Sequence, residues 1–324
     1  YSYLDQSASS MSAKGNGGMR QMHSFATLDQ QTAIETPPED YVSTKMTQVN
    51  IDVISKGEVY NLKVPHEIDS SKLDIAVNKY YVGSILNAAG YPFSRKHWKN
   101  IITTVQTKAV SEGSKIPVIY GIDAIHGANY TVGATLFPQQ IALAATWNPT
   151  LVEQAASITA YDVSASGIPW NFSPVLDLAR QPLWGRYYET FGEDVHLAKT
   201  MGKAFVKGYQ GDDPKHPQKV AACLKHYVGY SFPLSGKDRT PAWIPDRMLK
   251  EYFLPTFKTA IDEGALSIMV NSGEVNGIPV HASYELLTKV LRDELGFEGI
   301  ILTDWEDIIK LYKDLWFNFE VIKF

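Results

Sequence analysis

The sequence has very little cysteine and no long apolar run, and each shortage excludes a class of protein. Its 324 residues include one cysteine, Cys223, so no disulfide can form within the chain. That residue lies in an apolar stretch, 220–224, where we expect a buried and unreactive thiol. No apolar stretch approaches the roughly 18 residues that a membrane-spanning helix needs. We therefore predict a globular chain without a membrane span.

Basic charge and cofactor motifs are also scarce. The net charge is −5, and no basic run marks a nucleic-acid surface. No glycine-rich dinucleotide motif follows the first predicted strand, and no His, Cys and carboxylate cluster has the spacing of metal ligands. We predict no nucleic-acid partner, no metal ion and no cofactor. The sequence begins with Tyr1 and not with Met, so the removal of a signal peptide is an open alternative. Composition alone leaves the cellular compartment unknown.

From Met46 onward, short apolar runs alternate with segments that have helical spacing. The runs are 46–51, 83–86, 117–122, 170–176, 220–224, 266–270 and 299–302. This alternation predicts an α/β fold with a parallel sheet, and its length suits a (β/α)8 TIM-type barrel. A doubly wound open sheet is the alternative. We assign residues 1–45 to a mostly disordered or irregular segment, 46–314 to the barrel and 315–324 to a divergent tail.

The tail is a poor eighth strand. Asn318, Glu320 and Lys323 would put polar groups where a strand covered on both faces should be apolar. The barrel is therefore expected to be incomplete at this strand. Open sheet edges promote pairing with other chains, so we expect self-association through them.

A glycine followed by three branched apolar residues leads directly into Thr303, Asp304 and Trp305. Such a run is typical of a strand buried on both faces. A carboxylate at its end is costly to bury unless it lies in a polar cleft. The tryptophan offers a flat apolar wall against which a sugar ring can pack. We interpret Asp304 as the reactive group.

Polar residues follow several other predicted strands, which in a barrel would share one opening. They are Asp123, Asp177, Lys225, His226 and Glu274, with Arg186 and Glu189 in the loop after Asp177. Asp123 could accept hydrogen bonds from sugar hydroxyls. Arg186, Lys225 and His226 could donate to others and keep Asp304 ionised by their positive charge. Asp177 and Glu189 are expected to hold Arg186. Taken singly, each residue could equally be a cap or a loop anchor.

Two loops complete the site hypothesis. The loop 229–245 is long for a barrel connection, and long loops in compact domains are usually functional. We assign His281 to a loop and to a structural or solvated role.

Five motifs in order resemble the barrel domain of glycoside hydrolase family 3, in particular its β-glucosidases and β-glucan exohydrolases. They are YGIDAIHG (120–127), PLWGR (182–186), YETFGED (188–194), CLKH (223–226) and LTDW (302–305). The resemblance implies retaining hydrolysis of terminal β-glucosyl residues, with Asp304 as the nucleophile. It also implies that Asp123, Arg186, Lys225, His226 and Trp305 line the sugar pocket.

The departures from that family define the function hypotheses. The resemblance places the acid/base, a Glu, in a following domain, and the sequence has no equivalent of that domain. Glu274 is the one candidate that we would test within the barrel. We expect an exo-acting retaining β-glucosidase that lacks its acid/base domain and takes β-glucosides or β-glucan oligosaccharides. The alternative is a non-catalytic glucoside-binding protein. The resemblance also implies a periplasmic or secreted location.

Overall fold

The computed structural model describes residues 20–21, 54–56, 67–87 and 92–313. These residues belong to two compact units. The first unit comprises the chain as far as Asp123 with residues 129–134 and 163–170, and the second comprises 124–128, 135–162 and the chain from Asn171. The predicted tail, 315–324, and the predicted strand 46–51 lie outside the described residues.

The first unit pairs short strands in both directions. Its elements are β1 (Arg20–Gln21), β2 (Ile54–Lys56), β3 (Glu67–Ile68), α1 (Ser70–Asp74) with a π-helical turn (Ile75–Lys79), β4 (Ser84–Leu86), α2 (Arg95–Ser111) and β5 (Ile119–Ile122). β4 is parallel to β5 and antiparallel to β1, and β2 is antiparallel to β3. β1 lies within residues 1–45, and the assignment of that segment as mostly disordered or irregular stays a prediction.

The second unit contains three neighbouring parallel strands. Two of its elements extend into residues of the first unit: α4 ends there and β6 begins there. The elements are α3 (Gln140–Ala144), α4 (Pro149–Ala165), β6 (Trp170–Asn171), a 3-10 turn (Tyr187–Glu189), α5 (Val195–Gln210), β7 (Ala221–Tyr227), α6 (Asp246–Met248), a π-helical segment (Leu249–Phe253), α7 (Leu254–Asp262), β8 (Ser267–Val270), β9 (Glu274–Val275), β10 (Ile278–Pro279), a 3-10 turn (Val280–Ala282), a π-helical segment (Glu285–Glu294), β11 (Ile300–Leu302) and α8 (Asp307–Lys313). β8 lies between β7 and β11 and is parallel to both, whereas β9 and β10 form an antiparallel hairpin. The α/β prediction is confirmed, and closure into an eight-stranded barrel stays a prediction.

Local sequence signals explain where several helices begin. Asn148 caps α4, because its side chain accepts the N–H groups of Thr150 and Leu151 at 3.1 and 3.2 Å. The chain widens to a π-helical segment immediately before α7, in which Pro255 is the second residue. Proline lacks the N–H that an unbroken α-helix would use at that position.

Strand lengths differ from the prediction at two places. The predicted strand 170–176 is reduced to β6, since Pro174 has no N–H to donate to a ladder. β7 is longer than predicted and includes Lys225 and His226, which we had placed after it. Its register against β8 shifts between Leu224 and Tyr227. Such an irregularity redirects backbone and side chains, which is common next to active sites.

The glycine before β11 is required by close packing. A Cβ on Gly299 would lie 2.3 Å from the carbonyl oxygen of Leu266, the residue that precedes β8. Any side chain here would separate the two strands. The pairing of β11 with β8 in turn positions the residues that follow it.

Candidate active site

Asp304 lies just after β11, and its carboxylate is surrounded by hydrogen-bond donors. The residue is 1% exposed. Oδ1 accepts the N–H of Trp305 and lies 3.5 Å from Nη2 of Arg239. Oδ2 accepts the hydroxyl of Ser272 at 3.0 Å. Because a buried carboxylate without partners would become protonated, these contacts favour the ionised form that a nucleophile requires.

Arg186 is fixed by one carboxylate. Its Nε and Nη2 donate to the two oxygens of Glu189 at 2.9 and 2.6 Å, and both side chains are buried. The 3-10 turn Tyr187–Glu189 brings them together. Burial alone would raise the pKa of Glu189, but the charge and hydrogen bonds of Arg186 outweigh it and lower that pKa. The pair is therefore charged, and its geometry leaves Nη1 available for a further contact.

His226 connects Arg186 to Asp304. Its Nε2 lies 3.2 Å from Nη1 of Arg186 and 3.7 Å from Oδ2 of Asp304. Nη1 can only donate, so Nε2 accepts and the ring proton lies on Nδ1. Burial, followed by the charge of Arg186, lowers the pKa of His226 well below its ordinary value. The imidazole is neutral, so our expectation that His226 supplies positive charge to Asp304 is wrong.

Asp177 holds His226 rather than Arg186. Its Oδ2 lies 2.7 Å from Nδ1 of His226 and accepts the backbone N–H of the same residue at 2.9 Å. The irregularity in β7 releases that N–H from the ladder with β8. Burial raises the pKa of Asp177 to about 8, although the hydrogen bond from His226 opposes the shift. Of the two carboxylates expected on Arg186, Glu189 makes the ion pair and Asp177 orients the imidazole.

A second carboxyl group, on Asp307, shares two partners with Asp304. Arg239 donates from Nη1 to its Oδ1 at 3.0 Å, and the hydroxyl of Ser272 lies 2.9 Å from its Oδ2. Lys310 lies 3.4 Å from Oδ1. Burial and then the charge of Asp304 raise the pKa of Asp307 to about 6, against the opposing charges of Arg239 and Lys310. The two acids are thus linked through one hydroxyl and one guanidinium.

His281 is buried beside this second carboxyl group. Its Nε2 lies 3.6 Å from Oδ2 of Asp307 and has no hydrogen-bond partner within the described part of the chain. Burial lowers the pKa of His281 to about 3, so the ring is neutral. It belongs to a 3-10 turn and is not solvated, which leaves the structural role of the two that we expected.

The remaining predicted site residues differ in burial and in position. Lys225 is 1% exposed within β7, and Trp305 is partly buried after Asp304. Asp123 belongs to the first unit, where it follows β5 and accepts Nδ2–H of Asn87 at 2.9 Å. The backbone carbonyl of Glu274 accepts the N–H of Ala242 at 2.8 Å.

The second unit therefore brings together most, but not all, of the predicted residues. Arg186, His226 and Asp304 form a continuous series of contacts, with Glu189 and Asp177 behind them. Sequence reasoning missed Arg239, Ser272, Asp307 and His281 as neighbours of Asp304. Two signals pointed towards them: the long loop 229–245 contains Arg239, and Asp307 follows Asp304 by three residues, a spacing that puts side chains on one side of a helical turn.

Neither a metal centre nor a spanning helix is found in the ranges that the structure describes. There, no three His, Cys, Asp or Glu side chains are grouped so that they could hold a metal ion. No helix in those ranges combines the length and the apolarity needed to cross a membrane.

Residues 53–319 match the model of the glycosyl hydrolase family 3 N terminal domain. A lysosomal beta glucosidase of Dictyostelium discoideum is 48% identical over 298 residues, which cover 86% of this chain and 36% of that protein. A beta-xylosidase of Formosa agariphila is 36% identical over 221 residues, covering 66% of this chain and 31% of that protein.

The likeness extends to solved structures. A β-glucosidase from Erythrobacter marinus has a TM-score of 0.70 and 32% identity, covering 76% of this chain and 32% of the solved chain. The chain thus spans about a third of the length of the relatives that it matches.

Proposed function

Because this chain belongs to glycosyl hydrolase family 3, we propose that it carries the nucleophile of an exo-acting, retaining β-glucosidase. The proposed substrates are terminal non-reducing β-D-glucosyl residues of β-glucosides or β-glucan oligosaccharides. The observation that carries the proposal is the buried Asp304 carboxylate after β11, with donors on both oxygens. Relatives named as a β-glucosidase and a β-xylosidase support β-glycosides as the substrate class.

In the proposed reaction, one oxygen of Asp304 attacks the anomeric carbon while the bond from that carbon to the leaving oxygen breaks. The leaving oxygen takes a proton from a general acid. Water then hydrolyses the glycosyl ester and regenerates the carboxylate. Arg186 and Lys225 donate to sugar hydroxyls, as does Nε2 of His226 if substrate binding moves its proton there. Trp305 packs on the ring, and the role expected of Asp123 towards sugar hydroxyls stays a prediction.

The acid/base is proposed to come from outside this sequence. Retention requires two carboxyl groups about 5–5.5 Å apart with the glycosidic bond between them. Asp307 does not fit, because its carboxyl group and that of Asp304 contact the same Ser272 hydroxyl at 2.9 and 3.0 Å. Because the Ser272 oxygen occupies the space between these two carboxyl groups, a sugar cannot lie there. Asp307 is also only 2% exposed.

Covalent trapping tests the assignment without requiring an acid. The full chain is incubated with a 2-deoxy-2-fluoro-β-glucoside that has a dinitrophenyl leaving group, and intact mass and peptide mapping follow. We expect one fluoroglucosyl group on Asp304 and none on Asp304→Asn. The corresponding fluoroxyloside should react more slowly. A label on another carboxylate would contradict the nucleophile, and faster reaction of the xyloside would contradict the glucosyl preference.

Glucoside binding without catalysis is the second candidate. Arg239 lies 3.5 Å from Oδ1 of Asp304 while Ser272 occupies Oδ2, and a carboxylate engaged at both oxygens is a weaker nucleophile. Calorimetry with glucose and cellobiose separates the two functions. Reversible binding with no covalent label from the activated glucoside would establish the binding protein and exclude the hydrolase.

A further inference from the structure

One hydroxyl contacts both acids next to the proposed reaction centre. Oγ of Ser272 lies 3.0 Å from Oδ2 of Asp304 and 2.9 Å from Oδ2 of Asp307. A serine hydroxyl has a single hydrogen and can donate to only one of these oxygens. With both acids ionised, the other contact would bring two sets of lone pairs together. The geometry therefore requires a proton on one of the two carboxyl groups.

The groups around the two acids bear on which of them holds that proton. The groups that face Asp307 are Asp304 after β11, Arg239 from the loop after β7, Lys310 on α8 and the neutral His281. Asp304 has a backbone donor in Trp305 at Oδ1, which favours its ionised form. Burial and the charge of Asp304 raise the pKa of Asp307 to about 6, so Asp307 takes up a proton at a higher pH than an ordinary aspartate does.

Arg239 connects the other two oxygens of the pair. Its Nη1 donates to Oδ1 of Asp307 at 3.0 Å, and its Nη2 lies 3.5 Å from Oδ1 of Asp304. A planar guanidinium that is fixed at one nitrogen has the direction of the others fixed too. The position of Asp307 thus determines where Arg239 presents its charge to Asp304.

We propose that Asp307 is a positioning residue for the nucleophile. Its Oδ2–H donates to Oγ of Ser272, whose own hydrogen donates to Oδ2 of Asp304, while its Oδ1 holds Arg239 against Oδ1 of Asp304. Both oxygens of the nucleophile are thereby oriented through one residue that does not itself touch substrate. The catalytic part of this inference rests on the proposed hydrolase function, whereas the proton-sharing part rests on the described contacts alone.

Carboxyl-carbon NMR tests the proton sharing without any catalysis. The full chain is labelled with ¹³C at the aspartate carboxyl carbons, and the two signals are assigned with Asp304→Asn and Asp307→Asn. Acids linked in this way titrate as a pair. We expect the Asp304 signal to shift at the pH where Asp307 titrates, and this step to vanish in Asp307→Asn. An Asp304 titration curve that is the same in wild type and Asp307→Asn would overturn the proposal.

Trapping kinetics test the positioning role. Misplacement of a reacting group costs up to about 100-fold in rate, so we expect Asp307→Asn to react with the fluoroglucoside about 10- to 100-fold more slowly. Asp262→Asn, an exposed change on α7, should react at the wild-type rate. If Asp307→Asn unfolds, Ser272→Ala replaces it and should show the same loss. Wild-type rates in the folded variant would overturn the proposal, whereas failure to trap the wild type would contradict the hydrolase function and leave the NMR result to decide the proton sharing.

Discussion

Two clusters in the second unit combine an arginine with carboxyl groups, and they do so differently. In the Arg186 cluster (Arg186, Glu189, His226 and Asp177) the guanidinium is 1% exposed and uses two nitrogens on one carboxylate. In the Asp304 cluster (Asp304, Ser272, Arg239 and Asp307) the guanidinium is 18% exposed and is divided between two acids.

The difference separates a fixed charge from an adjustable one. Arg186 has its own counter-ion, so its Nη1, which contacts His226, has a set direction, and a fixed charge of this kind suits recognition of a sugar hydroxyl. Arg239 is divided between two acids, so its balance changes when the charge on Asp304 changes. A nucleophile alternates between carboxylate and ester during a retaining reaction. We infer that the Arg186 cluster serves binding and the Asp304 cluster serves chemistry.

Removal of the nucleophile should have the largest effect. Asp304→Asn cannot form the glycosyl ester, so we expect the rate of trapping to fall by on the order of 10⁴-fold or more. Stopped-time mass spectrometry of the intact chain measures it. A variant that retains more than a hundredth of the wild-type rate would show that another group attacks.

The next effect should be on stability, in the Arg186 cluster. Glu189→Gln leaves the buried charge of Arg186 without its counter-ion, so the free energy of unfolding should fall by about 3–5 kcal/mol. Urea denaturation measures this loss. Asp262→Asn, which breaks an exposed pair with Lys258, should cost less than about 1 kcal/mol. Equal losses in the two variants would mean that the buried ion pair contributes no more to the free energy of unfolding than the exposed pair does.

The pH dependence of stability sharpens the comparison further. Burial raises the pKa of Asp177 from 3.8 to about 8, so the folded chain keeps a proton that the unfolded chain releases between these values. This group therefore favours the folded state at low pH, and its contribution is lost as pH rises through that window. Asp177→Asn cannot ionise. The free energy of unfolding of Asp177→Asn, relative to that of wild type, should therefore increase by up to about 1.4 kcal/mol per pH unit between about pH 5 and 8.

Denaturant melts of both proteins at several pH values measure the difference. His226→Gln serves as a control, because it removes the imidazole N–H that donates to Asp177 and leaves both the carboxyl group and the backbone hydrogen bond in place. Parallel stability curves for wild type and Asp177→Asn would contradict the raised pKa.

The smallest effect is expected at the divided guanidinium. Arg239→Lys replaces a planar fork by a point charge that cannot contact Asp304 and Asp307 with separate nitrogens. Loss of one charge-assisted contact should slow trapping by about 10-fold. Arg247→Lys, in an exposed pair with Glu251, is the matched control and should react normally. A faster Arg239→Lys would show that Arg239 restrains the nucleophile.

Sequence reasoning reached the parts of this picture that depend on local spacing. Arg186 meets Glu189 because three residues separate them across one turn. It could not reach contacts made between distant segments. Ser272 and Asp307 are 35 positions apart, and no spacing in the sequence links the two.

The protonation of the histidines was also beyond the sequence. His226 is neutral because it is buried against the charge of Arg186, 40 positions away, and no feature of the pair Lys225 and His226 indicates this. The contact of Asp177 with His226, in place of the expected contact with Arg186, also depends on residues that are distant in the sequence. Asp177 contacts His226 only where β7 departs from regular register.

The division between binding and chemistry is tested most directly by the concentration dependence of trapping in two matched amide variants. The half-saturating concentration of fluoroglucoside reports binding, and the maximal rate reports attack by Asp304. The account predicts that Glu189→Gln raises the half-saturating concentration with little change in maximal rate. It predicts that Asp307→Asn lowers the maximal rate about 10- to 100-fold with little change in half-saturation. Both variants changing the same constant would contradict it.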